Sequence, residues 1–125
     1  MPYRLEWEPR GIYKHYSGFV TADEFLQSIT EYQGNPNFDV MRYSINDFSE
    51  VAGTDAADHD ISLFAAMGAG GHYANPHIRV AVVAQSPAIL EMVEIYLSTG
   101  IIEFPLRIFR SLDEARRWAE APIEH

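Results

Sequence analysis

Apolar and polar positions alternate at the start of the chain. Tyr3-Arg4-Leu5-Glu6-Trp7 has the period of two expected of a half-buried strand, and Ile12-Tyr13-Lys14-His15-Tyr16 is a second segment rich in β-forming residues. Glu8-Pro9-Arg10-Gly11 between them reads as a turn, so the two segments predict a hairpin with one face wetter than the other. The period then changes. Thr21 and Glu24 have capping-box spacing, and Val20 and Phe25 occupy the hydrophobic-staple positions. Phe25, Ile29 and Tyr32 fall near one face of the helix that follows, with Leu26 beside them, and Gly34-Asn35-Pro36-Asn37 ends it. A third strand is expected from Val40 to about Asn46.

From Asp47 to Asp60 the chain is polar, acidic and punctuated by glycine, which predicts a loop entering a second helix near Thr54 or Asp55. Ile61, Phe64, Ala65 and Gly68 are spaced along one face of that helix. Its end is expected within Gly68-Ala69-Gly70-Gly71, or slightly later before Asn75-Pro76. Ile78 to Ala84 is almost entirely apolar and β-branched, the mark of a central strand covered on both faces. Ser86-Pro87 opens a third helix running to about Ser98, with Gly100 behind it. Phe104 to Phe109 is a further strand, with Pro105 near its start. Ser111 and Glu114 form a second capping box. Leu112, Ala115, Trp118 and Ala119 give the last helix its buried face, and Pro122 ends it.

The order β-β-α-β-α-β-α-β-α predicts a single α/β domain over residues 1–125. Its sheet is mixed but mostly parallel, with an N-terminal antiparallel hairpin and right-handed crossovers. At 125 residues the chain is long enough to bury a core, and with no cysteine it has neither disulfides nor thiolate chemistry. Lys and Arg number 9 against 18 Asp and Glu, a net charge of −9 that repels phosphate backbones and argues against nucleic-acid binding. No apolar run reaches the roughly 18 residues of a membrane span. Met1 to Arg10 lacks a charged-then-apolar leader pattern, so a cytoplasmic location is expected.

The element order resembles that of the STAS-like family, in particular its SpoIIAA-like group of small bacterial proteins, over about Tyr3 to Ala121. The residues that carry the resemblance are Ser17-Gly18-Phe19-Val20-Thr21 entering the first helix, Asp47-Phe48-Ser49 leaving the third strand, and Val80-Ala81-Val82-Val83. Phe109-Arg110-Ser111-Leu112-Asp113-Glu114-Ala115 with Trp118 is similar to the family's last strand and helix. The resemblance implies a regulatory, non-enzymatic module that binds another protein. In the family's regulators, a Ser in an Asp-Ser pair opens the second helix and is phosphorylated by a partner kinase, which switches binding to that kinase. The matching region here, Ser49 to Asp55, has no Asp-Ser pair. It offers Thr54 at the expected helix start and Ser49 upstream. STAS-like folds are also related in shape to the lipid-binding lobe of SEC14 proteins, without that lobe's extra helices.

The residues themselves suggest where binding would occur. Asp47, Ser49, Glu50, Thr54, Asp55 and Asp58 follow the third strand, and partners of open parallel sheets approach the carboxyl ends of strands. Helix capping is the ordinary explanation for such residues, and it is preferred outright for Ser86 and Ser111. Asp55, Asp58, His59 and Asp60 are the densest set of metal-binding residue types, with Asp55 and His59 on one helix face, but a solvated first turn explains them as well. No metal site or cofactor is expected. The Gly68–Gly71 run closes an element rather than opening one, so it reads as helix termination and not as a phosphate cradle. The histidines, His15, His59, His72, His77 and His125, have no triad spacing, and Gly-x-Ser-x-Gly is missing.

In the third helix only Glu91, Glu94 and Ser98 form a polar stripe. The apolar arc is wider than one core-facing stripe needs, so Leu90, Met92 and Ile95, with Ile101 and Ile102 beyond, make a candidate interface for a protein partner or a second copy of the chain. The alternative is that neighbouring elements cover this surface. Three functions follow from these readings. The first is an interaction or regulatory module. The second is a small-ligand or lipid binder using the aromatics Trp7, Tyr13, Tyr16, Phe25, Phe48, Phe64 and Tyr96, which otherwise simply fill the core. The third, a hydrolase-like enzyme, requires Ser, His and carboxylate groups to converge in space. A continuous apolar pocket would favour the ligand binder, and a filled core with an exposed apolar patch would favour the interaction module.

Overall fold

A computed structural model describes residues 2–122, so His125 lies outside the described residues. Strands β1 (Tyr3–Glu8), β2 (Gly11–Val20), β3 (Tyr43–Thr54), β4 (Arg79–Val83) and β5 (Leu106–Phe109) form one sheet in the order β1-β2-β3-β4-β5. β1 and β2 are the expected antiparallel hairpin, and every later pairing is parallel. Helices α1 (Ala22–Gln33), α2 (Asp58–Ala74), α3 (Pro87–Ser98) and α4 (Leu112–Ala119) make the connections and the ending, and a short 3-10 helix (Pro36–Val40) precedes β3.

Alternation along the strands sorts the side chains onto two faces. Ile12, Lys14 and Tyr16 of β2, Ser44, Asn46 and Phe48 of β3, and Val80 and Val82 of β4 face α1, α2 and α3. Tyr13, Tyr43, Ile45, Ala81 and Val83 face the other way and are covered by Ala115 and Ala119 of α4. Ala81 to Ala84 are buried in a strand with neighbours on both sides, which accounts for its unbroken apolar run.

The capping box at α1 is present: Glu24 N donates to Thr21 Oγ1 at 3.1 Å, and Thr21 N donates to Glu24 Oε1 at 2.9 Å. At α4, Ser111 Oγ accepts from Glu114 N, and the carbonyls of Trp118 and Ala121 at the far end accept from Arg79 Nη1. Arg116 clamps Glu8 with two hydrogen bonds, Nη2 to Oε2 at 2.7 Å and Nη1 to Oε1 at 3.0 Å, and the Tyr43 hydroxyl donates to the same carboxylate. This ties α4 to the end of β1.

Three expectations need correction. Val40 belongs to the 3-10 helix, and β3 starts at Tyr43. The expected loop from Asp47 is the second half of β3, which stays paired with β2 out to Val20 opposite Thr54. Two register shifts, between His15 and Ser17 and between Gly18 and Phe19, insert extra β3 residues and break the period of two, so the polar stretch does not look like a strand. Consequently α2 starts at Asp58, later than Thr54 or Asp55.

The third correction concerns the glycine run, which lies inside α2 rather than ending it; the helix continues to Ala74, the later of the two expected ends, just before Asn75-Pro76. Two of these glycines, Gly68 and Gly71, serve close packing rather than termination. A Cβ on Gly68 would collide with the Tyr96 hydroxyl, and one on Gly71 would meet Gln33 Nε2 at 2.6 Å and Phe38 at 3.2 Å. Just beyond, the buried Asn75 donates through Nδ2 to the carbonyls of Phe38 and Met41 at 2.8 and 2.9 Å, fastening the end of α2 to the 3-10 helix.

Candidate functional site

Between the sheet and the three helices on its first face lies a cavity of about 120 Å³. Aromatic rings line it. Phe25 meets Phe48 edge-on at 5.8 Å between centroids, Tyr16 lies 4.9 Å from Phe48, and Phe64 lies 5.9 Å from Phe25. Such pairs contribute about 0.5–1.5 kcal/mol each beyond the area they bury. The Tyr16 hydroxyl is already satisfied, 2.7 Å from Ser28 Oγ, which in turn donates to the Phe25 carbonyl. Asn46 Nδ2 donates to the Ala81 carbonyl at 3.2 Å.

Two polar groups on the lining differ from these. Lys14, only 3% exposed, enters from β2 opposite Asn46 and has neither an ion pair nor a hydrogen bond among the described residues. Its Nζ sits 3.7 Å from the centre of the Tyr32 ring. Burial, with no compensating charge, pulls its pKa from 10.5 down to about 7. His72 Nδ1 is buried and likewise has no hydrogen-bond partner among the described residues. Neither is singled out as a site residue by the sequence. The signal for Lys14 was its place between Ile12 and Tyr16 on one strand face; His72 carried none.

The opposite face holds a polar network in the middle of β3, beside the carboxyl end of β4. Asp47, 5% exposed, accepts from the Tyr13 hydroxyl at 2.6 Å, from Ser49 Oγ at 2.6 Å and from Ser49 N at 3.0 Å. Burial opposes its ionisation, but the Ser49 and Tyr13 hydrogen bonds and the nearby His15 outweigh it and hold the carboxyl below its ordinary range. The same carboxylate and the burial of Tyr13 push the phenol upward. His15 Nε2 lies 3.0 Å from Glu50, and its Nδ1 lies 3.2 Å from Arg4 Nη1.

No family model matches the chain, and no curated protein matches it in sequence. Solved structures do match its shape. One is an uncharacterized protein of the DUF3478 family with a SpoIIAA-like fold from Shewanella loihica PV-4. It is 13% identical, with a TM-score of 0.58 over 94% of this chain and 91% of that one. Another is the anti-sigma factor antagonist SpoIIAA in its unphosphorylated form, 12% identical, with a TM-score of 0.63 over 96% of this chain and 99% of that one. The chain has a SpoIIAA-like fold.

On this SpoIIAA-like frame the six acidic and hydroxyl residues expected in one loop are dispersed. Asp47, Ser49, Glu50 and Thr54 are on β3, with Asp47 and Ser49 bonded to each other. Thr54 Oγ1 accepts from Ala56 N. Asp55 precedes α2, and its Oδ1 accepts from Ala22 N at 2.8 Å, bridging to the start of α1. Only Asp58 is on α2. The residue that caps this helix is Ala57, so the position where a hydroxyl was expected has none; Asp60 Oδ2 accepts the Ala57 N–H instead. Asp55 and His59 do not share a helix face. His59 lies 3.4 Å from Asp60, and no cluster of three or more metal-binding side chains occurs among the described residues.

The third helix divides its apolar arc. Ile89 and Val93 are buried, and Met92, Val93 and Tyr96 line the cavity. Met92, Ile95 and Ile102 are half-buried. Leu90, Leu97 and Ile101 are exposed at 36%, 41% and 44%. Part of the expected interface face therefore serves as a cavity wall.

Proposed function

We propose that this chain is a regulatory binding module that holds a small apolar ligand under α1, α2 and α3 and acts on a protein partner. The observation that carries the reading is the aromatic cavity of about 120 Å³. Interiors are otherwise close-packed, and an apolar cavity of roughly 150 Å³ takes up benzene, so a space of this order sets an upper limit of about one small ring. The likeness in fold to a protein described as an anti-sigma factor antagonist supports a role exerted through another protein. A net charge of −9 favours a partner with a basic face, steered toward Glu50, Asp55 and Asp58. Among the described residues no helix is long and apolar enough to cross a membrane, and the proposed site of action is the cytoplasm.

Native mass spectrometry of the purified protein, with thermal-shift titration by toluene, tests the ligand. A small-molecule adduct, or a melting temperature that rises with toluene, is expected. A clean mass and an unmoved melting temperature would overturn the ligand and leave a second reading, an interaction module alone. That second reading is favoured by the exposed Leu90, Leu97 and Ile101. It predicts that Leu97→Glu weakens self-association or partner capture without unfolding the domain; unchanged light-scattering mass and unchanged capture would end it.

A further inference from the structure

A ligand in this cavity would meet two unspent polar atoms. Buried polar groups in folded proteins are partnered in roughly nine cases of ten or more, so a lysine only 3% exposed with no hydrogen bond or ion pair among the described residues, lining the same cavity as the unpartnered His72 Nδ1, needs an explanation. As an ammonium, Lys14 Nζ can only donate, and its one close compensation among the described residues is the face of Tyr32. His72 Nδ1, on α2, stands unpaired while its ring packs 5.7 Å from Phe104. Elsewhere in the core the polar groups are paired: Asn46 with the Ala81 carbonyl, Tyr16 with Ser28, Asn75 with two carbonyls. Lys14 is therefore not part of a structural network. Burying an unpaired amine costs stability, and it is offset when an anion arrives beside it.

Resting on the reading of the cavity as a ligand site, we propose that its ligand is a small monocarboxylic acid. The acid's apolar body lies among Phe25, Phe48 and Phe64, and its carboxylate sits on Lys14 Nζ. The size limit follows from the volume, which admits a single ring or a short branched chain. The charge follows from the lining: Lys14 is its one lysine or arginine and His72 its one histidine, and no carboxylate lines it among the described residues. A single ammonium matches a single carboxylate. A phosphate, with a second charge and more oxygens to satisfy, does not match it. Desolvation leaves much of the Lys14 amine neutral near neutrality, so an incoming carboxylate raises its proton affinity and draws a proton from solvent onto Nζ. Binding of the acid thus consumes a proton, and binding of a neutral analogue of the same shape does not.

Isothermal titration of the wild-type chain with benzoate at about pH 8, in two buffers of different ionisation enthalpy, reads that proton directly. Benzoate is expected to bind with proton uptake and to outbind toluene. Lys14→Met should lose roughly tenfold or more of the benzoate affinity while keeping toluene. Benzoate binding without proton uptake, or equal benzoate affinity in Lys14→Met, would overturn the acid and leave the cavity reading standing on toluene. Toluene binding with no benzoate binding would do the same. If neither probe binds the folded wild-type chain, both readings fall. The proton measurement uses the wild-type chain, so the test does not depend on the variant folding.

Discussion

The Lys14 ammonium nitrogen lies 3.7 Å from the centre of the Tyr32 ring, and that aromatic face is the nearest compensation the described structure gives it. Its pKa is drawn down to about 7 in the folded state, against 10.5 as an ordinary lysine. Between these values the unfolded chain binds more protons than the folded one, so stability rises with pH. The penalty of the buried charge is felt in full below about pH 7 and is relieved toward pH 10. The slope contributed by one such group approaches 1.4 kcal/mol per pH unit, as an order-of-magnitude ceiling of about that size. Lys14→Met is therefore expected to stabilise the domain, most strongly at about pH 6 to 7, and to flatten the pH dependence up to about pH 9.5. Chemical denaturation across that range measures it. A variant no more stable than wild type at pH 6 would show that the amine is solvated.

Asp47 has the opposite linkage. Its folded pKa is lowered, so its contribution is present above the ordinary carboxyl range and is lost as pH falls through the folded value. Asp47→Asn keeps the shape and removes the charge that accepts from Tyr13 and Ser49. The expected cost at neutral pH is about 2 kcal/mol, shrinking below about pH 4 as the wild-type carboxyl is protonated. Urea midpoints at pH 7 and pH 3 measure the difference, and an equal cost at both would show that the charge contributes nothing.

The sequence made the architecture legible wherever local signals and tertiary contacts agree. Thr21 with Glu24 begins its helix as a full capping box, and Ser111 caps the last helix through Glu114 N alone, because caps are local chemistry. The second half of β3 was hidden because its partner is β2, and its bulges erase the alternation that would betray a strand. The glycines of α2 were misread because their reason lies on other elements, Tyr96 on α3 and Gln33 on α1. Of the candidate site, most of the aromatic supply is legible: Tyr16, Phe25, Phe48, Phe64 and Tyr96 reach the cavity, whereas Trp7 does not line it and Tyr13 faces α4. Lys14 was readable in retrospect, since period two puts it with Ile12 and Tyr16. His72 was not, because its isolation depends on what packs around it and not on its neighbours in sequence.

In an exposed helix, replacing glycine with alanine gains up to about 1 kcal/mol. At Gly68 the sign should reverse, because the new methyl group would collide with the Tyr96 hydroxyl. Gly68→Ala is expected to cost about 1–3 kcal/mol. Tyr96→Phe removes the obstructing atom, so the double variant should recover most of the loss, a coupling that a double-mutant cycle of thermal stabilities reads directly. Additive effects would mean that the strain is absorbed elsewhere.

Filling the cavity separates the space from its polar end. Val93 is 5% exposed on α3 and contributes to the lining without touching the Lys14 amine in any hydrogen bond. In a packed core, Val→Phe forces side chains off their rotamers at a cost of about 1–3 kcal/mol. Here the added ring has space to enter, and it buries apolar surface that otherwise faces a void. Val93→Phe is therefore expected to cost less than about 1 kcal/mol, or to stabilise, while toluene and benzoate binding both fall by roughly tenfold or more. Thermal unfolding and the titrations of the wild-type chain, repeated on the variant, provide the comparison. A variant that is severely destabilised, or that binds both probes unchanged, would show that the space beneath α3 is not where the ligand goes.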